Sequence, residues 1–186
     1  TAWVAASTDP GLGSGVITVR NGHTATLTSS ETLDQLIIEA DGTLRVNNNR
    51  TLTISDGSEP FDLDVHGIVD NFWAISPNSG AAIRFNANSV YNHRVDGGAI
   101  TTATWDITST CNILEIINTA PTGLAQTFGN LTWNCPGQTS SIDVNDNLTI
   151  NGTFTMSNTG TRYLRIATTG NYSMNLGAFV QTGGRL

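Results

Sequence analysis

Apolar and polar residues alternate along most of this chain, and the alternation is clearest in DGTLRVNNNRTLTISDG, Asp41 to Gly57. Leu44, Val46, Leu52 and Ile54 alternate with Thr43, Arg45, Thr51 and Thr53, the period-two signature of two strands with one buried face. Asn47, Asn48 and Asn49 make a polar corner between them, and Asp41-Gly42 and Asp56-Gly57 close the ends with residues that accept positive φ. The unit is strand, corner, strand, turn. It returns most plainly in NLTINGTFTMSN, Asn147 to Asn158, and such recurrence marks a coil stacked on copies of itself.

The same reading extends along the chain. Ile17 and Val19 alternate with Val16, Thr18 and Arg20, and an Asn21-Gly22 turn leads into a Thr-rich strand. Leu33 to Ala40 has partly helical spacing, but it is short and ends in Asp-Gly, so it is predicted as strand. Leu63 and Val65 point inward with Asp62 and Asp64 outward; Ile83 and Phe85 flank an outward Arg84; Leu131, Trp133 and Cys135 share one face. The interval from Gly42 to Gly67 is close to one turn of a three-sided coil. At roughly 22 to 26 residues per turn the prediction is a right-handed parallel β-helix of about seven turns. Residues 1–15, with Trp3 and Val4, are expected to form an N-terminal cap, because an open sheet edge offers unpaired backbone groups to other chains. Residues 16–186 are expected to be solenoid, and a chain ending at QTGGRL partway round a turn suggests a piece of a longer protein.

Composition sharpens the class. Only 12% of residues are charged, and the basic ones are eight arginines with no lysine, whereas exposed helices draw heavily on lysine and glutamate. With abundant threonine and asparagine this favours an all-β fold over a helical one. The principal alternative is a β-sandwich, which has no need of recurring near-identical units. A net charge of −7 opposes binding to a phosphate backbone, so nucleic acid is not an expected partner. No apolar run is long enough for a membrane helix, and the start lacks a signal-peptide pattern, so any export signal is expected to have been removed or to lie outside this stretch.

VYNHRVDGGAITTATWDITSTCNI (Val90 to Ile113) and FGNLTWNCPGQ (Phe128 to Gln138), with VRNGHTATLTSSETLDQLIIEADGTLRVNN, resemble the pectin-lyase-like β-solenoid segments of large secreted surface proteins of the Bacteroidetes, often exported by the type IX secretion route. The resemblance covers about residues 16 to 186 and is most specific at Tyr91-Asn92-His93, Asp96-Gly97-Gly98 and Thr102 to Trp105. It implies an extracellular or cell-surface location, export machinery, and a spacer, adhesin or ligand-presenting role with a glycan or another surface protein as partner. It carries no agreed catalytic residues, so none transfers.

Candidate chemistry is sparse. Asp62, Asp64, Asp70, Asp96 and Asp106, with Arg84 and Arg94, are the residue types from which a polysaccharide-cleaving β-helix builds calcium sites and acid/base pairs, but no acidic cluster recurs at turn spacing. Outward solvated strand residues and Asp-Gly turns are the favoured reading of them. Tyr91, His93, Arg94, Asp96 and Trp105 are the candidate glycan contacts. Three histidines, two of them beside turn glycines, do not make a zinc site, and neither metal nor cofactor is expected. Cys111 and Cys135, close to one turn apart at this spacing, fit either a disulfide between turns or two stacked buried thiols. Trp73, Trp105, Trp133, Tyr91 and Tyr163 form a sugar platform if they point outward. Threonine pairs such as Thr24/Thr26, Thr51/Thr53, Thr102/Thr104 and Thr153/Thr155 raise ice binding as a further alternative. The expected function is non-enzymatic: a structural or adhesin-type solenoid segment, with a carbohydrate-binding or carbohydrate-cleaving β-helix as the alternative.

Overall fold

The structure, a computed structural model, describes residues 9–186. The cap expected from Trp3 and Val4 lies outside the described residues. The first turn comprises β1 (Ile17–Val19), β2 (Thr24–Leu27) and β3 (Glu31–Leu33), and the second β4 (Leu36–Ile38), β5 (Thr43–Val46) and β6 (Thr51–Ile54). The third is β7 (Leu63–Val65), β8 (Ile68–Asn71) and β9 (Ala74–Pro77). Two shorter turns follow, β10 (Ile83–Phe85) with β11 (Val90–His93), then β12 (Thr104–Trp105) with β13 (Thr110–Ile113). The sixth holds β14 (Thr127–Phe128), β15 (Asn130–Asn134) and β16 (Ile142–Asp143); the seventh β17 (Leu148–Asn158) and β18 (Leu164–Arg165); the last β19 (Met174–Gln181).

Every pairing between these strands is parallel, and each strand pairs with its counterpart one turn away. The fold is thus a parallel β-helix, here of about eight turns, one more than the sequence spacing suggests. Several turns are shorter than the one from Gly42 to Gly67, which accounts for the extra one: Ile17 already pairs with Leu36, Leu63 with Ile83, and Thr110 with Asn130. The segment Leu33 to Ala40 is extended, but a break at Asp34-Gln35 splits it between β3 and β4, which belong to successive turns.

Stacking places like positions over one another. Val19, Ile38, Val65, Phe85 and Trp105 form one inward column. Ala25, Leu44, Val69, Tyr91, Cys111, Leu131 and Phe154 form another. Nearly all of these side chains are buried, and each large aliphatic or aromatic one contributes about 1.5–3 kcal/mol through the water it sheds. Because strands inside each stack, such as β5, β8, β11 and β13, take hydrogen bonds from both neighbouring turns, the contributions are shared along the axis.

The corner between the first and second faces is built from small residues. The carbonyls of Gly42, Gly67, Ser89, Ser109 and Gly129 accept the N–H groups of Ile68, Val90, Thr110, Asn130 and Gly152, one turn further on. At Gly67 a Cβ would meet the Gly42 carbonyl oxygen at 2.3 Å, so the stack runs too close for a side chain pointing that way. The interval from Gly42 to Gly67 is therefore one turn, as its length suggests. Asp41, at this corner, and Asn49, at the next, adopt positive φ (59° each), the conformation expected of them.

Candidate functional site

The second face carries a continuous polar row on its outer side. Arg45, Asp70, Asn92 and Asn112 occupy one register position in β5, β8, β11 and β13. Arg45 donates to Asp70 (3.3 Å), Asn92 donates to Asp70 (2.8 Å), and Asn112 donates to Asn92 (2.9 Å). Arg94 donates to Asp70 as well (3.3 Å) and to Glu115 (3.3 Å). Burial pushes the Asp70 carboxyl upward, but the hydrogen bonds from Asn92, Arg45 and Arg94 outweigh it and hold it below the usual carboxylate range. The guanidiniums of Arg45 and Arg94 both lie against Phe72, 5.5 and 5.4 Å from the ring centre, within cation–π range.

Beside this row an open groove of about 490 Å³ runs around the asparagine corner, lined by Thr28, Arg45, Asn47, Asn48, Arg50 and Phe72. Arg50 is fixed there by donating Nε to the Thr28 carbonyl (2.7 Å) and Nη1 to the Asn49 carbonyl (3.2 Å). Arginines scattered through the sequence are thus gathered by register: Arg45 and Arg94 flank the same aromatic ring although two turns separate them. The signal available in the sequence was their placement one turn either side of Asp70, visible only once the turn lengths are known.

Of the five candidate glycan contacts, three lie in the core. Tyr91 and His93 are fully buried, and Trp105 is 9% exposed. Period two explains this: Val90 and Asn92 take the outer positions of β11, leaving Tyr91 and His93 inside, where the fold supplies each with a hydrogen-bond partner. Asn71 donates to the Tyr91 hydroxyl (2.8 Å), His93 Nε2 donates to the Gly97 carbonyl (2.7 Å), and Trp105 Nε1 donates to Gln126 (2.9 Å). Arg94 and Asp96 are nearer the surface, but Asp96 is engaged as an anchor, accepting the N–H groups of Ile117, Asn118 and Thr119 at 2.9–3.0 Å. Burial raises the Asp96 carboxyl and those three N–H groups lower it further than burial lifts it, so it too sits below its ordinary range.

The remaining candidates are equally committed to the fold. Asp62, expected outward, is buried and accepts the N–H groups of Gly57 (2.6 Å) and Ala82 (2.7 Å). Asp64 takes a two-pronged contact from Arg84 (3.0 and 2.9 Å), and Asp106 accepts from the N–H and hydroxyl of Thr108. Among the described residues no group of three or more His, Cys, Asp or Glu side chains is placed to hold a metal ion. Cys111 and Cys135 are both free and buried, so the disulfide alternative is corrected: the turn here is shorter than their separation, Cys111 pairs with Leu131, and Cys135 falls beyond the end of β15. Burial pushes the Cys111 thiol far up and that of Cys135 up to about 12, so both are protonated and inert at neutral pH. Trp133 is core, while Trp73 and Tyr163 are 44% and 47% exposed but stand turns apart and share no platform. The threonine pairs do not make a regular array: the register neighbours of Thr24/Thr26 are Thr43/Arg45, and those of Thr51/Thr53 are Ala74/Ser76.

His93 gives the interior a pH dependence. Burial disfavours its charged form more than the Gly97 carbonyl favours it, so its folded pKa lies below the ordinary value of 6.5. The unfolded chain then binds the proton first, and the stability held by neutral His93 is complete above about pH 6.5 and drains as pH falls toward the folded pKa, at up to about 1.4 kcal/mol per pH unit. Urea titrations between pH 7.5 and 5 are expected to show this loss, with a visibly flatter profile in His93→Gln; equal slopes in both proteins would remove His93 as the cause.

No protein-family model matches the chain, and neither a curated protein nor a solved structure is found to be similar to it.

Proposed function

We propose that this chain is a non-enzymatic β-solenoid segment of a larger extracellular or cell-surface protein, acting as a stiff spacer or display element. The observation that carries the reading is that, of the five carboxylates from which a β-helix would build a catalytic centre, four hold one turn to the next, Asp62 and Asp96 on backbone N–H groups and Asp64 and Asp70 on arginines, while Asp106 is tied to Thr108 within its own turn. An acid or base needs a proton-transfer partner within reach and freedom to use it, whereas these groups serve as ties between turns. Stacked parallel turns with shared hydrogen bonds resist extension along and across the axis, which suits a body that holds something away from a surface.

The test combines two measurements on the purified chain. Tethered at its two ends and pulled, it is expected to unfold in a few large cooperative steps. Incubated with a panel of neutral, acidic and sulfated polysaccharides, it is expected to release no new reducing ends. Turnover of any polysaccharide that disappears in Asp64→Asn, or smooth extension without a force barrier, would overturn the proposal.

A further inference from the structure

We infer that the groove at the asparagine corner, between the guanidiniums of Arg45 and Arg50, is a binding site for an anionic saccharide, one bearing carboxylate or sulfate groups. The charge balance is the first reason. The chain carries a net −7, yet this groove is lined by two arginines and no carboxylate, and the acid that touches its lining, Asp70, is already engaged by Arg45, Asn92 and Arg94. The second reason is preorganisation. Arg45 is steadied by Asp70 and the Phe72 ring, and Arg50 by the Thr28 and Asn49 carbonyls. Each guanidinium has five N–H groups, of which Arg45 uses one and Arg50 two in these contacts, so both keep donors for a forked contact to an oxyanion.

The rest of the lining selects the kind of anion. Among the described residues the side-chain amides of Asn47 and Asn48 have no hydrogen-bond partner, and they stand with Thr28 at the groove wall, offering both donors and acceptors to hydroxyl groups. Phe72 is the one apolar side chain lining it, too little for a hydrophobic ligand. A volume of about 490 Å³ falls in the range of small-ligand clefts, about 300–1,000 Å³. Hydroxyls beside an acidic group are what an acidic sugar presents. A long polyphosphate would meet the overall negative field once it extended beyond the groove.

The inference holds whether or not the segment serves as a spacer, and it is tested by titrating the whole chain with dextran sulfate, alginate and uncharged dextran oligosaccharides of equal length. Binding is expected for dextran sulfate, alginate or both, weakening as salt is raised, and none for dextran; which of the two binds separates sulfate from carboxylate recognition. Arg45→Gln/Arg50→Gln is expected to weaken binding at least tenfold, and Asn47→Ala/Asn48→Ala, which removes no side-chain hydrogen bond within the fold, several-fold. Arg162→Gln, an exposed arginine in the seventh turn, is expected to bind as the parent does. Melting temperatures of all three variants establish that they are folded. Failure of both acidic oligosaccharides to bind, equal binding of dextran, an unchanged affinity in the folded asparagine variant, or an equal loss in Arg162→Gln would overturn the assignment.

Discussion

Replacing Gly129 with alanine is expected to cost about 3 kcal/mol of stability or to abolish a single cooperative transition, while Gly137→Ala leaves the unfolding midpoint where it is. A Cβ at Gly129 would lie 2.0 Å from the Asp106 carbonyl oxygen and 2.7 Å from that of Ser109, both backbone atoms of the turn before. Backbone held in a stack of strands about 4.8 Å apart has little room to retreat, and the Ser109 carbonyl is already fixed by the Asn130 N–H at 2.8 Å. Gly129 does not adopt positive φ, so the penalty comes from contact and not from an unfavourable conformation. Nothing lies within 4 Å of a Cβ at Gly137, which makes it the matched control. Urea titrations of both variants decide the matter; a Gly129→Ala midpoint equal to the parent's would mean that the corner is looser than its contacts require.

Phe85→Ala is expected to remove about 3–5 kcal/mol, and Phe85→Leu a smaller part of it. The Phe85 ring is fully buried between Val65 and Trp105 in the first-face column. It stacks on Trp105 with centroids 4.2 Å apart and planes 8° from parallel, and meets Tyr91 edge-on at 5.5 Å. Truncation opens a cavity in the fourth turn and strips Trp105 of its stacked partner, an aromatic contact of about 0.5–1.5 kcal/mol beyond the area it buries. Since each turn leans on its neighbours, the loosening should be local along the axis: hydrogen exchange is expected to quicken in turns three to five and to change little in turns one and two. Uniform acceleration along the chain would show that the solenoid unfolds as one unit and not as coupled turns.

Much of this molecule was legible in the residues. The alternation in TLRV and TLTI placed Leu44, Val46, Leu52 and Ile54 inside, and the structure buries all four. Asp41 and Asn49 were recognisable as corner residues because few other side chains tolerate positive φ. What misled was polarity used as a guide to direction. Tyr91, His93 and Asp62 looked like surface chemistry, yet each is buried, because a hydrogen bond from Asn71, to Gly97, or from Gly57 and Ala82 offsets part of the penalty for taking a polar group out of water. Asn71 and Ala82 belong to neighbouring turns, and no local pattern names them as partners.

Periodicity and turn chemistry alone determined that this chain forms short strands with one buried face, and that the strands repeat as a coil; these are properties of neighbouring residues. Tertiary structure decided which residues one turn apart stand over one another. Turn length varies, with Leu36 paired to Ile17 on one side and to the more distant Leu63 on the other, and a shift of a single position moves a side chain from core to surface. That register separated Cys111 from Cys135, and it brought Arg45 and Arg94 to one ring.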